Sequence, residues 1–184
     1  MQVRHYSLLD STNDEARRLL ALGELAPGST TLIVADTQTA GRGTRGRSWC
    51  SPTGGLYMTV VHRAPDAHCL AGTGQGEKIE NYWLNRLHSP ASVALTLAAG
   101  IASQHVLNDV IELSTGQRPL RLKPINDVMI PVPRAASGNS EWGGELLKLA
   151  GILVETQLLP TGQLSAVMTG IGVNLSHAPA GLPA

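Results

Sequence analysis

The chain has 184 residues, with 14 lysines and arginines balancing 14 aspartates and glutamates, and 42% of it is hydrophobic. That length suits a single globular domain over residues 1–184, one that buries about 70% of its unfolded surface. A formal charge of zero excludes a protein whose whole surface grips nucleic acid, because such binding runs on phosphate neutralisation; any cationic site has to be local.

Cys50 and Cys69 lack the CxxC spacing of a metal or redox pair, and nothing points to a disulfide framework. Met1 leads straight into QVRHYSLL, which reads as a strand and not as a signal peptide. The uncharged stretch from Ser89 to Leu107 is interrupted by Ser, Thr, Gln and His, so it reads as a core helix and not as a membrane span. A reducing, cytoplasmic setting is expected.

In chain order, the opening strand is followed by STNDEARRLLALG, where Thr12 and Glu15 stand at capping-box spacing, Ala16, Leu19 and Leu20 share a helical face, and Gly23 is the stop. TTLIVAD (30–36) and GGLYMTVVHR (54–63) are β-branched strand candidates. Residues 64–89 read as a polar surface insertion. A helix from Ser89, with Pro90 in its first turn, comes next. LRLKPINDVMI, a Pro- and Gly-bearing loop from Pro131 to Gly144, and the strand candidates KLAGILVETQLL and LSAVMTGIGVNL complete the order. The pattern predicts an α+β fold, a mixed β-sheet covered by helices.

The loop between the second and third strands holds GRGTRGR, three glycines and three arginines in residues 41–47. It reads as a solvated flexible loop, as an RNA-contacting segment, or as an anion cradle. RNA contact calls for stacking aromatics, and only 3% of the chain is aromatic. In a cradle, glycines let backbone N–H groups approach a phosphate and arginines add forked donors. It is not a Walker loop, for there is no GxxxxGK[ST]. His62, His68 and Cys69 fit no common zinc spacing, and no protein-held metal is expected.

STN (11–13), ADTQTAGRGTRGRSWCSPTGGLY (35–57), LKPIND (122–127), KLAGILVE (148–155) and GIGVN (170–174) occur in this order. Together they resemble the catalytic domain of biotin protein ligases, from about residue 5 to 176, and the long central block is the specific part. The resemblance implies a class II synthetase-like fold and an enzyme that joins biotin to the α-phosphate of ATP, with magnesium on the phosphates. It then passes biotin from the adenylate to a lysine of a biotin carboxyl carrier domain. No nucleic acid or membrane partner is implied, and a homodimer is compatible with it.

Carried over residue by residue, the resemblance makes Arg42 and Lys123 the catalytic cations that let a carboxylate meet a phosphate. Ser11, Thr12, Asn13 and Gln38 would hold the polar rings of biotin. Gly41, Gly43, Thr44, Gly54, Gly55, Leu56, Gly151 and Ile152 would complete that pocket. Arg45, Arg47, Trp49, Asn126 and Asn174 would meet the nucleotide, and Asp127 would approach the magnesium. Read from the residues alone, Ser11 and Thr12 also serve as a helix cap, Leu56 and Ile152 as strand packing, Trp49 as a core anchor, and Glu155 as an exposed strand residue. The glycine-arginine loop is expected to act as a lid over the adenylate.

This sequence departs from the pattern in two motifs. Thr44 stands where relatives commonly carry arginine, so looser retention of the adenylate is expected unless Arg45 or Arg47 substitutes. KPIND replaces KWPND, which moves the proline next to Lys123. The helix-turn-helix and the small β domain of many relatives are expected to be missing. Two other functions fit the same residues: a biotin-binding pseudo-ligase without turnover, and a lipoate or octanoate transferase of the related fold.

Overall fold

The structure is a computed structural model that describes residues 1–65, 90–131 and 146–176. Its elements are β1 (Gln2–Leu9), α1 (Thr12–Ala21), β2 (Thr30–Gln38), β3 (Leu56–Arg63), α2 (Pro90–Thr115), β4 (Arg121–Lys123), β5 (Asp127–Pro131), β6 (Leu146–Leu158) and β7 (Leu164–Val173). The strands form one seven-stranded sheet in the order β1-β2-β3-β7-β6-β5-β4. Only β1 and β2 run parallel; the other pairs are antiparallel. The expected mixed sheet with helices is therefore observed. The predicted insertion and the loop after Pro131 lie, apart from their first residues, outside the described residues.

Strand residues alternate between faces, so the registers define two surfaces. One row runs Tyr6, Ala35, Tyr57, Gly172, Gly151, Asp127, Lys123 across all seven strands. This front face carries α1, whose Ala16 and Leu19 pack with Ile33, Val61, Ala166 and Met168. On the back face α2 covers the other end of the sheet, where Leu120, Val128, Ala150, Ile152 and Val173 form a second core with Leu107 and Ile111. Each fully buried aliphatic side chain contributes roughly 1.5–3 kcal/mol. With one helix on each side and at opposite ends, no helix among the described residues covers the front of β6 and β7 around Gly151 and Gly172.

The start of α1 differs from the expected capping box. The N-cap is Ser11, extended at φ −156° and ψ 137°, and it makes no side-chain cap. Tertiary partners take the groups a box would use: Gln38 Oε1 accepts the Thr12 amide at 2.8 Å, and Glu15 accepts from Tyr6 OH at 3.0 Å and from Arg18 at 2.8 Å. Gly23 ends the helix as expected, at φ 71°, with the Glu24 amide returning to the Leu19 carbonyl at 3.0 Å. Just before α1, Asp10 is gripped by both terminal nitrogens of Arg18 (2.7 and 2.8 Å), which lowers its pKa to about 2.

Candidate active site

The glycine-arginine loop is folded back on itself above the front face. Its ends are joined by a bridge between Gln38 and Ser51, and a second bridge pairs Arg42 with Ser48. A single 3-10 turn, Thr44–Gly46, forms the tip. Arg45 takes the left-handed conformation there, at φ 59°, and the Gly43 amide donates to the Arg47 carbonyl at 2.7 Å. Gly41 is needed where the loop turns in, because a Cβ would run into the Trp49 carbonyl oxygen and come within 2.7 Å of Ser51 Oγ.

Between this loop, the start of α1 and the front of β6 and β7 lies a cavity of about 460 Å³, within the range of small-molecule sites. Part of its wall is polar. The Thr12 hydroxyl lies 3.2 Å from Gln38 Oε1, and the Gln38 amide donates to Ser51 Oγ at 2.7 Å. Thr59, on β3 and fully buried, places its hydroxyl 2.8 Å from that of Thr12 and donates to Asn13 Oδ1 at 2.5 Å. Asn13 in turn donates from Nδ2 to Glu155 Oε2 at 2.7 Å. Ser11, Thr12 and Asn13 are all buried although polar, and the network supplies the side chains of Thr12 and Asn13 with the partners such burial requires.

The floor is glycine. Gly151 and Gly172 face each other across β6 and β7, and an added Cβ on either would come within 2.6 Å of the Trp49 indole. At Gly170 a Cβ would collide with Asn13 Oδ1. Bare backbone thus lets Trp49 and Asn13 lie directly on the sheet. The buried Trp49 Nε1 has no hydrogen-bond partner among the described residues.

The charged residues of the lining are all cations, Arg42, Arg47 and Lys148. Arg42 donates to Asp14 Oδ1 at 2.7 Å and to Glu155 Oε1 at 3.1 Å, and Arg17 pairs with the same two carboxylates. Burial works against the Arg42 charge, but Asp14 and Glu155 outweigh it and its pKa is raised. Only two of the five guanidinium N–H donors of Arg42 are used in these bonds. Lys148 Nζ sits 2.7 Å from Asp127 Oδ1 and 5.1 Å from the centroid of the Trp49 ring, a cation–π distance.

Of the residues singled out from the sequence, Ser11, Thr12, Asn13, Gln38, Arg42, Gly43, Thr44, Arg47, Trp49, Asn126, Gly151 and Ile152 line the cavity. Gly41, Arg45, Gly55, Leu56, Lys123 and Asn174 are not among its lining residues. Leu56 packs into the back core, and Gly55 leaves room for the Tyr57 hydroxyl. Asn174 is buried and donates to the Lys148 carbonyl at 3.2 Å. The lining lysine is Lys148; Lys123 is on the same face, on the outermost strand. Lys148, Ser51, Thr59, Gly170 and Gly172 were missed from the sequence, although KLAGILVE and GIGVN contain three of them. Among the described residues no group of three His, Cys, Asp or Glu is placed to hold a metal ion, and no helix is long and apolar enough to cross a membrane.

The model of the biotin/lipoate A/B protein ligase family matches residues 6–174, which takes in both walls, the floor and the loop. The chain belongs to this family. A biotin–[acetyl-CoA-carboxylase] ligase of Paracoccus denitrificans is 34% identical over 172 residues, which cover 92% of this chain and 53% of that protein. The biotin protein ligase of Leishmania major in complex with biotinyl-5-AMP superposes with a TM-score of 0.63 at 25% identity, covering 97% of this chain and 59% of that one. The Aquifex aeolicus biotin protein ligase in complex with biotin and ATP gives 0.56 at 25% identity, covering 97% and 55%. This chain therefore spans about half the length of the ligases it matches.

Proposed function

We propose that the chain is the catalytic part of an ATP-dependent biotin protein ligase. The observation that carries this reading is that one cavity is lined by the polar groups of Thr12, Asn13 and Gln38, by the bare backbone of Gly151 and Gly172, and by the cations Arg42 and Lys148. Biotin offers a group for each: a polar cyclic urea, an apolar ring and tail, and a carboxylate. In this reading Ser11, Thr12, Asn13 and Gln38 receive the ureido ring.

The first chemical step is attack of the biotin carboxylate oxygen on the α-phosphorus of ATP, with pyrophosphate leaving. Two such anions at about 4 Å repel by roughly 4 kcal/mol at an effective dielectric near 20, a barrier that fixed cations have to cancel. Arg42 has spare donors for both oxygens, and Lys148 lies close to the indole where the nucleotide would stack. We assign the lysine at the reacting centre to Lys148, with Lys123 adding positive field from the same face. Magnesium would arrive on the nucleotide phosphates; Asp127, the expected carboxylate, is already engaged by Lys148. In the second step the ε-amine of a lysine on a biotin carboxyl carrier domain attacks the carbonyl carbon, and AMP leaves.

The test is incubation with biotin, ATP, magnesium and a carrier domain, following pyrophosphate release and the mass of the carrier. Wild type should release pyrophosphate and shift the carrier by one biotinyl group; Arg42→Ala and Lys148→Ala should each slow release by about 100-fold or more. Heat of biotin binding without any release would instead indicate a binding protein, and lipoate outcompeting biotin would indicate a lipoyl transferase.

A further inference from the structure

Glu155 stands on the front of β6, opposite Met168 of β7, with a side chain 19% exposed. We propose that it is a positioning residue that fixes Asn13 as a hydrogen-bond donor toward a carbonyl-type acceptor on the bound ligand. The inference rests on the biotin reading above and adds a residue to it.

The two carboxylate oxygens of Glu155 have divided roles. Oε1 accepts from Arg17 Nη2 at 2.6 Å and from Arg42 Nη2 at 3.1 Å, while Oε2 faces Asn13 Nδ2 at 2.7 Å. An ionised carboxylate only accepts, so Asn13 has to meet Oε2 with its NH₂ group and not with its carbonyl. The other end of the amide is fixed too. Asn13 Oδ1 takes the Thr59 hydroxyl at 2.5 Å, and Gly170 leaves the space that oxygen occupies. Flipping the amide would set Oδ1 against a carboxylate and lose the bond to Glu155, which is what selects the orientation.

Asn13 has two Nδ2 hydrogens, and Glu155 takes one. The second has no acceptor among the described residues, although Asn13 lines the cavity and is only 3% exposed. The group offered to a ligand is therefore an N–H, which suits the carbonyl oxygen of a cyclic urea. A glutamine at 155 would satisfy the guanidiniums with its carbonyl and turn its own NH₂ to Asn13. The Asn13 amide would then reverse, since the Thr59 hydroxyl oxygen accepts as readily as it donates.

The experiment measures affinity for biotinamide, which keeps the urea but lacks the carboxylate, so that effects passing through Arg42 drop out. It is run on wild type, Glu155→Gln, Asn13→Ala and the double variant, with melting temperatures alongside. Glu155→Gln should weaken biotinamide about tenfold in the wild-type background and by less than about twofold in the Asn13→Ala background. Thr59→Val, which releases the other end of the amide, should repeat the pattern at smaller size and serves if Glu155→Gln does not fold. Equal losses in both backgrounds, or no loss in either, would overturn the inference while leaving the biotin reading intact. Failure of wild type to bind either biotin or biotinamide would overturn both.

Discussion

The two faces of β6 and β7 belong to the same strands yet have opposite compositions. On the back, Ala150, Ile152, Val173 and Ile171 pack under α2 into an apolar core. On the front, the neighbouring positions are Gly151, Gly172, Gly170 and Glu155, and they carry an indole, an amide and two guanidiniums. Glycine at the front gives up side-chain packing and strand preference. The back recovers that loss with buried branched side chains. A two-residue period thus lets one pair of strands hold the fold together on one side and a polar, ligand-sized cavity on the other.

The comparison is broken most directly by filling the front. Gly172→Val should abolish adenylate formation, by about 1000-fold or more, because the new side chain takes the space of the Trp49 indole, and the overpacking should cost about 1–3 kcal/mol of stability. Activity within tenfold of wild type would mean that the glycine floor is packing alone. The converse change is Val173→Ala, at a back-face position 2% exposed that does not line the cavity. It should cost about 2 kcal/mol in urea unfolding and leave the KM for biotin within about twofold. A large rise in KM with little loss of stability would show that the faces are not separable.

A smaller effect is expected at the loop tip. Thr44 lines the cavity, and its hydroxyl accepts from Arg47 Nη2 at 3.0 Å, so Arg47 is turned toward the loop itself. Thr44→Arg should slow dissociation of biotinyl-adenylate by about tenfold, within the range of one added charge-assisted hydrogen bond. Equal off-rates would mean that Arg47 already supplies that contact.

Much of the fold was legible because it is written in local pattern. β2, β3 and β7 lie within a few residues of the β-branched runs that announced them, and Gly23 ends α1 as its position implied. The site was legible only where a motif marked it. Thr59 reads as one more β-branched strand residue; what ties it to the candidate site is Asn13, 46 positions away. The placement of Lys148 likewise depends on Trp49 and Asp127, which come from other segments. The apparent capping box at Thr12 and Glu15 failed for the same reason, since the Thr12 amide and the Glu15 carboxylate found partners outside the helix, in Gln38 and Tyr6.

The bond between Asn13 and Glu155 spans 142 positions of the chain. During synthesis, a ribosome has to release nearly the whole sheet before the residues at the start of the first helix acquire their last partner. A chain made only as far as β5 therefore lacks the acceptor of the Asn13 amide. Ligand added to cells or to a refolding mixture would act only on finished molecules, drawing the equilibrium toward them by mass action.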